Sequence, residues 1–457
     1  MLFSSVINWN LLKILYLIII FVVSFLSTYF IIPYIIRFMK KRKFVGYDIH
    51  KNARPEIAES GGLSILFGFT IASLLLTIFF KEFINEIIIF LLTVIFAGII
   101  GFIDDRVKLR SRYKIVLSIF CGGAIFIANF VGFVNISSPV IPILDRTRLT
   151  IIYPFTIPII VAIFTNTVNM LEGYNGEGSG TCFIAVSFLF ICSLILNSAE
   201  GIIFSVPIMA VIIAFFLFNK FPAKIFPGDI GTLSMGAMIA CVMFFGSLEV
   251  AAFCALLIHI FNSFYVIYSV KGFFESDKIR ENREDIILLE NDQIMASDQK
   301  KAALTLPRLI LAKGPLTEPE LVKNFYAISL ICGFFSIIFT LLIQITMGNL
   351  NITVLIITIL IIIAPSVYIL YKFPRIRGII VLMIILLTSI IIFLILIEYI
   401  ILAIPFPVID LGLLRFPTNL LFIFLLGIFG LVIWYFITIK YFWMEINKMK
   451  INQHKNY

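Results

Sequence analysis

Charge is scarce in this chain: Asp, Glu, Lys and Arg together make up 13% of its 457 residues, whereas 61% are hydrophobic and the mean hydropathy is +1.10. A soluble globule of this length carries roughly a quarter charged residues, so the composition excludes an ordinary water-soluble fold and makes lipid the main solvent. The six cysteines, Cys121, Cys182, Cys192, Cys241, Cys254 and Cys332, all fall inside apolar runs and none forms a CxxC pair. Neither a zinc motif nor a disulfide framework is indicated, and the thiols read as small buried side chains. A cleavable leader pattern is missing as well. The apolar run from 11 to 36 is too long for a signal segment and no small-residue cleavage site follows it, so it reads as the first membrane span.

The formal net charge of +9 would suggest nucleic acid in a soluble protein. In a membrane chain the first question is where the cations lie along the topology, and no nucleic-acid partner is expected here. Apolar runs able to cross a hydrocarbon core as helices occur at 11–38, 61–80, 84–103, 113–131, 153–169, 181–197, 201–218, 229–247, 250–271, 324–346, 350–371, 378–403 and 419–443. The predicted fold is therefore all-α, a polytopic helical membrane bundle of about thirteen spans. Of the 35 Lys and Arg residues, only Lys13, Lys81, Arg146, Arg148 and Arg415 lie at ends assigned to the outside, and the other 30 lie on the opposite face. The positive-inside rule then predicts an outer N terminus and a cytoplasmic C terminus, and the cell membrane is the expected residence.

With that parity, the unusual polar segments follow spans one, three, five, seven and nine, all on the cytoplasmic face. They are DIHKNARPEIAESGG, GFIDDRVKLRSRYK, NTVNMLEGYNGEGSG, NKFPAKIFPGDIGTL and the charged stretch from Gly272 to Lys323. Loops on the other face are short and thinly charged, so a site assembled from several turns at one membrane face is expected.

Each segment supplies a group useful to phosphate chemistry. Asp104 and Asp105 can bind a divalent cation or accept a proton, and Mg²⁺ takes hard oxygen ligands with only one or two protein carboxylates. Asp229, in FPGDIG, is a second carboxylate source at a helix start, as one metal bridging phosphates requires. Asn166 and Asn169 lie three apart and share a helix face, where amide oxygens can complete a coordination sphere. The glycines at 173, 176, 178 and 180 follow, in a loop whose backbone N–H groups can face a nucleotide or pyrophosphate. At helical spacing Asp104 shares a face with Lys108, and Arg110 with Lys114. Arg280 and Arg283 add cations for phosphoryl oxygens. His259 and Asn262 read as a packed polar pair within span nine.

These motifs, in this order, resemble the polyprenyl-phosphate N-acetylhexosamine-1-phosphate transferases, a glycosyltransferase 4 type family, over residues 1–346. GFIDDRVKLRSRYK looks like its double-aspartate motif, NTVNMLEGYNG its Asn-x-x-Asn motif, and NKFPAKIFPGDIGTLSMG its Asn-x-x-Pro…Phe-x-Gly-Asp motif. PEIAESGG and LILAKGPLTEPELV lean toward the archaeal and eukaryotic enzymes that load GlcNAc-1-phosphate onto dolichyl phosphate. The histidine cluster of the bacterial branches is missing between Gly272 and Lys323. Departures are Glu172, where a small residue is usual, Lys108, where asparagine is usual, and Arg280 with Arg283 in place of an Arg-His-Arg triplet.

The resemblance implies transfer of HexNAc-1-phosphate, GlcNAc-1-phosphate foremost, from a UDP-HexNAc donor to a polyprenyl (dolichyl) phosphate acceptor. The products are a sugar-pyrophosphoryl lipid and UMP, as in the first membrane step of N-glycan assembly. It implies Mg²⁺, with Mn²⁺ as a substitute, held chiefly by Asp229 and Asn169. It gives catalytic roles to Asp104, Asp105, Lys114, Asn166, Asn169 and Asp229, and substrate contacts to Glu59, Asn175, Asn219, Phe226, Arg280 and Arg283. Membrane lipids are the surrounding partners, and a homodimer is compatible with the family. A ten-span core over 1–346 and an extension over 347–457 without an assigned chemical role are expected. The rival readings are a bacterial-type undecaprenyl-phosphate sugar-1-phosphate transferase and, from another class, a membrane transporter. The latter would place its ion-binding groups near the midplane on broken helices, often in repeated halves.

Overall fold

A computed structural model describes residues 9–146, 152–269, 285–398, 408–410 and 415–455. The architecture is helical, with four small antiparallel sheets in the connections among the described residues. Among the described residues, 12 helices are long and apolar enough to cross a membrane, or 13 with one bent pair counted as a single span. The chain is an integral membrane protein on this evidence, and each of the thirteen predicted spans overlaps a helix.

By compactness the chain divides into two units, residues 1–139 with 148–340 and residues 140–147 with 341–457. The first contains α1 (Leu11–Lys41), α2 (Gly62–Phe79), α3 (Ile84–Val107), α4 (Ser111–Phe130), α5 (Ile152–Leu171), α6 (Glu177–Leu196), α7 (Ala199–Asn219), α8 (Gly228–Gly246), α9 (Glu249–Ala255), α10 (Leu257–Ser269) and α11 (Leu306–Leu311). The long helix α12 (Glu318–Thr346) begins in this unit. The second unit carries α13 (Ile352–Lys372), α14 (Arg377–Leu396) and α15 (Thr418–Lys455), the last two packed together. There the Trp434 indole N–H donates to the Leu382 carbonyl at 3.2 Å, so a polar tip is satisfied within an apolar contact.

Apolar sequence alone does not say which helix sits at the centre, but burial does. The spanning window of α8 is 89% buried, whereas that of α1 is 17% buried. Helix α8 packs on α3, α5, α7 and α2, and its small residues allow close approach, as membrane helices without a hydrophobic driving force between them require. A Cβ at Gly236 would lie 2.5 Å from Thr165 Cα of α5. Many serines and threonines within the spans return their hydroxyls to the carbonyl one turn back, as Ser24 does to Ile20, Thr93 to Ile89 and Ser234 to Ile230, which satisfies those donors within their own helix. All six cysteines are free and buried.

Helix ends have visible causes. Asn10 caps α1 by accepting the Lys13 N–H at 2.9 Å, and Lys40 and Lys41 occupy the last turn, where cations suit the helix dipole. Span nine is not straight: α9 and α10 meet at Leu256 with a bend of 65°. Two contacts show which ends lie together. Lys13 in the first turn of α1 pairs at 3.0 Å with Glu82, in the short turn between α2 and α3, which joins the ends predicted to lie outside. At the opposite ends the first hairpin, β1 (Val45–Tyr47) with β2 (Glu56–Ala58), docks on the turn before α8. There Phe226 N donates to Ala58 O at 2.8 Å, and Gly61 N and Gly62 N donate to Phe226 O and Pro227 O at 2.8 and 2.9 Å.

Candidate active site

Asp104 and Asp105 stand in the last turn of α3. The face-sharing expected of Asp104 with Lys108 is interrupted, whereas Arg110 keeps its place one turn before Lys114, whose N–H donates to the Arg110 carbonyl at 3.2 Å. The helix closes at Val107, Lys108 adopts a left-handed conformation with φ of 50°, and α4 begins only at Ser111. Asp104 helps make this break, because its Oδ1 accepts the Leu109 N–H at 2.7 Å. A side-chain acceptor competes here with continuation of the helix. The break turns α4 back along α3 and brings Lys114, from its first turn, to the other oxygen of Asp104.

The centre of the cluster is the Lys114 ammonium. Its Nζ lies 2.6 Å from Asp104 Oδ2, 2.7 Å from Asp229 Oδ2 and 3.2 Å from Asn169 Oδ1. Three hard oxygens from α3, α5 and α8 thus converge on one cation. Their side chains are largely withdrawn from solvent, with relative exposures of 16% for Lys114, 6% for Asp104 and 29% for Asp229. Asn169 is fixed by its own amide nitrogen, which donates to Asp229 Oδ1 and, at 2.7 Å, to Thr232 Oγ1.

Asp105 faces the adjacent side. Its Oδ1 accepts the backbone N–H of Asp229 at 2.7 Å and its Oδ2 the Ser60 hydroxyl at 3.0 Å. This carboxylate therefore caps the beginning of α8, where free N–H groups and the dipole favour an anion. Close approach depends on glycine at both walls. A Cβ at Gly228, whose φ is 64°, would lie 2.5 Å from Asp105 Oδ2, and one at Gly101 would lie 2.4 Å from the Asp229 carbonyl oxygen.

Of the remaining predicted residues, Asn166 lies one turn before Asn169 on α5, but its amide nitrogen donates to Ala162 O at 2.7 Å of its own helix. Asn219 holds a loop: it accepts the Ser179 hydroxyl at 2.6 Å and donates to Ile225 O at 3.1 Å. Phe226 joins the first hairpin through its backbone, as described above. Glu59 is half-buried beside Gly46, and burial raises its pKa against the opposing pull of Arg106 and Lys108. Arg280 and Arg283 lie outside the described residues. Asn262 bridges elements, donating to Met170 O at 2.9 Å and accepting from Leu306 N at 3.0 Å, while His259 is fully buried beside it. The His259 ring nitrogens take no part in these bonds, so the two residues share a buried turn of α10 without forming the expected pair.

Asn175 is buried in a separate group. Its backbone N–H donates to Glu318 Oε1 at 2.7 Å, and its side-chain amide donates to Asp48 Oδ2 at 3.0 Å and Glu318 Oε2 at 3.4 Å. In the same glycine loop Glu177 Oε2 accepts the N–H groups of Gly173 and Tyr174 at 3.0 and 3.1 Å. The neighbouring Glu172 has a carboxyl oxygen, Oε2, that is shut off from solvent, and burial pushes this acid up to about 8.

Sequence reasoning missed Arg308. Fully buried, its guanidinium donates to the carbonyls of Ser297, Ala302, Ala303 and Gln299 at 2.7–3.1 Å. It organises the turn before α11, beside the sheet of β3 (Ile286–Leu288), β4 (Gln293–Ala296) and β5 (Leu316–Thr317). A lone charge within LTLPRLILA was the signal.

Fold and site together define a polytopic membrane protein with carboxylates, an amide and an ammonium gathered at one end of its spans. The profile of glycosyl transferase family 4 matches residues 87–247, which include that whole cluster. A Methanocaldococcus jannaschii protein named as a glycosyltransferase is 31% identical over 322 residues, 70% of this chain and 96% of that one. A Saccharolobus solfataricus protein named as a UDP-N-acetylglucosamine–dolichyl-phosphate N-acetylglucosaminephosphotransferase is 32% identical over 310 residues, 66% of this chain and 89% of that one. A phospho-N-acetylmuramoyl-pentapeptide-transferase of Streptococcus pneumoniae is 26% identical over 266 residues, 55% of this chain and 80% of that one. The chain belongs to glycosyl transferase family 4.

Proposed function

We propose that this protein transfers HexNAc-1-phosphate, GlcNAc-1-phosphate foremost, from a UDP-sugar to a polyprenyl phosphate of the dolichyl type, releasing UMP. The observation that carries the reading is the convergence of Asp104, Asn169 and Asp229 on Lys114 at one end of the spans. Names of the archaeal relatives support the donor and acceptor. A transporter is disfavoured because these carboxylates sit in the last turn of α3 and the first of α8 rather than mid-span.

The donor set fits a hard divalent cation. Two carboxylates and an amide oxygen already surround one positive charge, and Asp229 with Asn169 would hold Mg²⁺ if Lys114 moved toward substrate. When bound, Mg²⁺ supplies charge neutralisation at the donor diphosphate. The acceptor phosphate oxygen attacks the β-phosphorus of the donor, forming the new P–O bond as the bond to the UMP oxygen breaks. Lys114, once turned toward the phosphates, stabilises the charge that develops on them. Asp104, held by Lys114 and the Leu109 N–H, orients that ammonium and can take a proton from the acceptor. Asp105 is committed to the Asp229 N–H and Ser60, which supports a positioning role and direct attack by the already anionic acceptor. An orientation with the site toward the cytoplasm follows the distribution of Lys and Arg, and the cell membrane is the proposed residence.

Purified protein incubated with labelled UDP-HexNAc donors, dolichyl or undecaprenyl phosphate and Mg²⁺ should release UMP and yield a sugar-pyrophosphoryl lipid identifiable by mass. Asp229→Asn should abolish turnover while leaving the melting temperature near that of the parent. Near-normal activity in that variant would contradict the assignment.

A further inference from the structure

Away from the Lys114 cluster, the described residues hold a second set of metal-ligating side chains. Asp48 of the first hairpin loop, His50 two residues on and Glu318 at the start of α12 each offer a ligand atom, and these atoms all lie within 4.8 Å of one another. All three are buried, at 2%, 8% and 2% relative exposure. Segments near 50, 175 and 318 meet only through the fold, so no sequence spacing marks this set.

Charge and orientation both distinguish it from an incidental polar contact. Two carboxylates are buried together, and the ammonium paired with them is that of Lys51, on Asp48. Lys51 is also held over the Phe221 ring, 4.5 Å from its centroid. Two carboxylates buried side by side are costly without nearby positive charge, and a divalent cation between them would supply it. The imidazole is fixed by stacking on Tyr174, ring centroids 4.3 Å apart and planes 23° from parallel. A ring held in one orientation is what a ligand histidine needs.

We propose that Asp48, His50 and Glu318 form a binding site for a divalent transition cation of the Zn²⁺ class, distinct from the cation of the transfer reaction. One imidazole nitrogen with two carboxylate oxygens is a borderline donor set that favours Zn²⁺ over Mg²⁺, which prefers all-oxygen surroundings. Three protein donors leave a position for water. The ion would clamp the first hairpin to the head of α12. Asn175 hydrogen-bonds both carboxylate ligands, so the ion would also fix the glycine loop. Resting on the reading above, that loop is the donor side of the transferase, and the site would tune UDP-sugar affinity.

The test is zinc stoichiometry on the full-length detergent-purified protein, loaded with Zn²⁺, desalted and measured by mass spectrometry, with Co²⁺ absorption as a spectroscopic check. The parent should retain one equivalent and show a Zn²⁺-dependent rise in melting temperature. His50→Gln and Glu318→Gln should each weaken binding at least tenfold, whereas Asp229→Asn should retain the ion. Absence of zinc from the parent, or equal zinc in the parent and both ligand variants, overturns the proposal. Loss of zinc from Asp229→Asn alone would assign the ion to the Lys114 cluster and also overturn it, while leaving the transferase reading intact.

Discussion

Replacing Lys114 by glutamine tests whether the ammonium holds the active cluster together. At an effective dielectric of about 20, charges separated by about 4 Å attract by about 4 kcal/mol, and Lys114 is closer than that to both Asp104 and Asp229. Desolvation offsets much of this gross attraction. The better guide is that removing one partner of a largely buried pair costs about 3–5 kcal/mol, because the remaining charges are left uncompensated. Lys114→Gln should therefore destabilise the protein by about 3 kcal/mol and, as loss of a preorganised electrostatic group, lower kcat by about 10²–10³-fold. The double variant Lys114→Gln, Asp104→Asn removes one stranded charge, so it should regain much of the stability without regaining the rate. Thermal unfolding in detergent measures the first quantity and UMP release the second. A single variant that melts with the parent, or keeps its rate within about threefold, refutes the reasoning, since such a residue could not be the shared counter-ion.

Asp105→Asn should keep the fold but lower UMP release by about tenfold or more, because it weakens the charge-assisted bond that fixes the Asp229 backbone; an unchanged rate would remove its positioning role. Gly101→Ala should cost about 1–3 kcal/mol in a melt, the usual price of overpacking, and should depress turnover as well, since the new methyl meets the Asp229 carbonyl. For Glu172, burial raises the folded acid to about 8, so its contribution to stability is fully present below the unfolded value of 4.5 and is lost as pH rises through about 8. Glu172→Gln should flatten that decline in melting temperature across the interval, and an identical pH profile in the variant would show that the carboxyl is not the titrating group.

The sequence by itself determined the membrane class, the spans and the turns that carry polar chemistry. Lipid thickness imposes a length on each apolar run, and backbone groups in lipid leave the helix as the available form for such a run. It also made the Asp104–Asp105, Asn169 and Asp229 motifs visible, because acids and amides at span ends contrast sharply with an apolar background. Tertiary structure decided which of these groups meet. The break at Lys108 places Lys114 against Asp104, although a continuous helix would have paired Asp104 with Lys108 instead. Asn166 and Asn169 looked equivalent by spacing, yet packing sends one to its own helix and the other to Asp229. The meeting of Asp48, His50 and Glu318, the four-carbonyl cradle of Arg308 and the 65° bend at Leu256 were decided there too. Ion pairs and hydrogen bonds act over a few ångströms, and residues tens to hundreds apart in the chain come within that range only when the helices have packed.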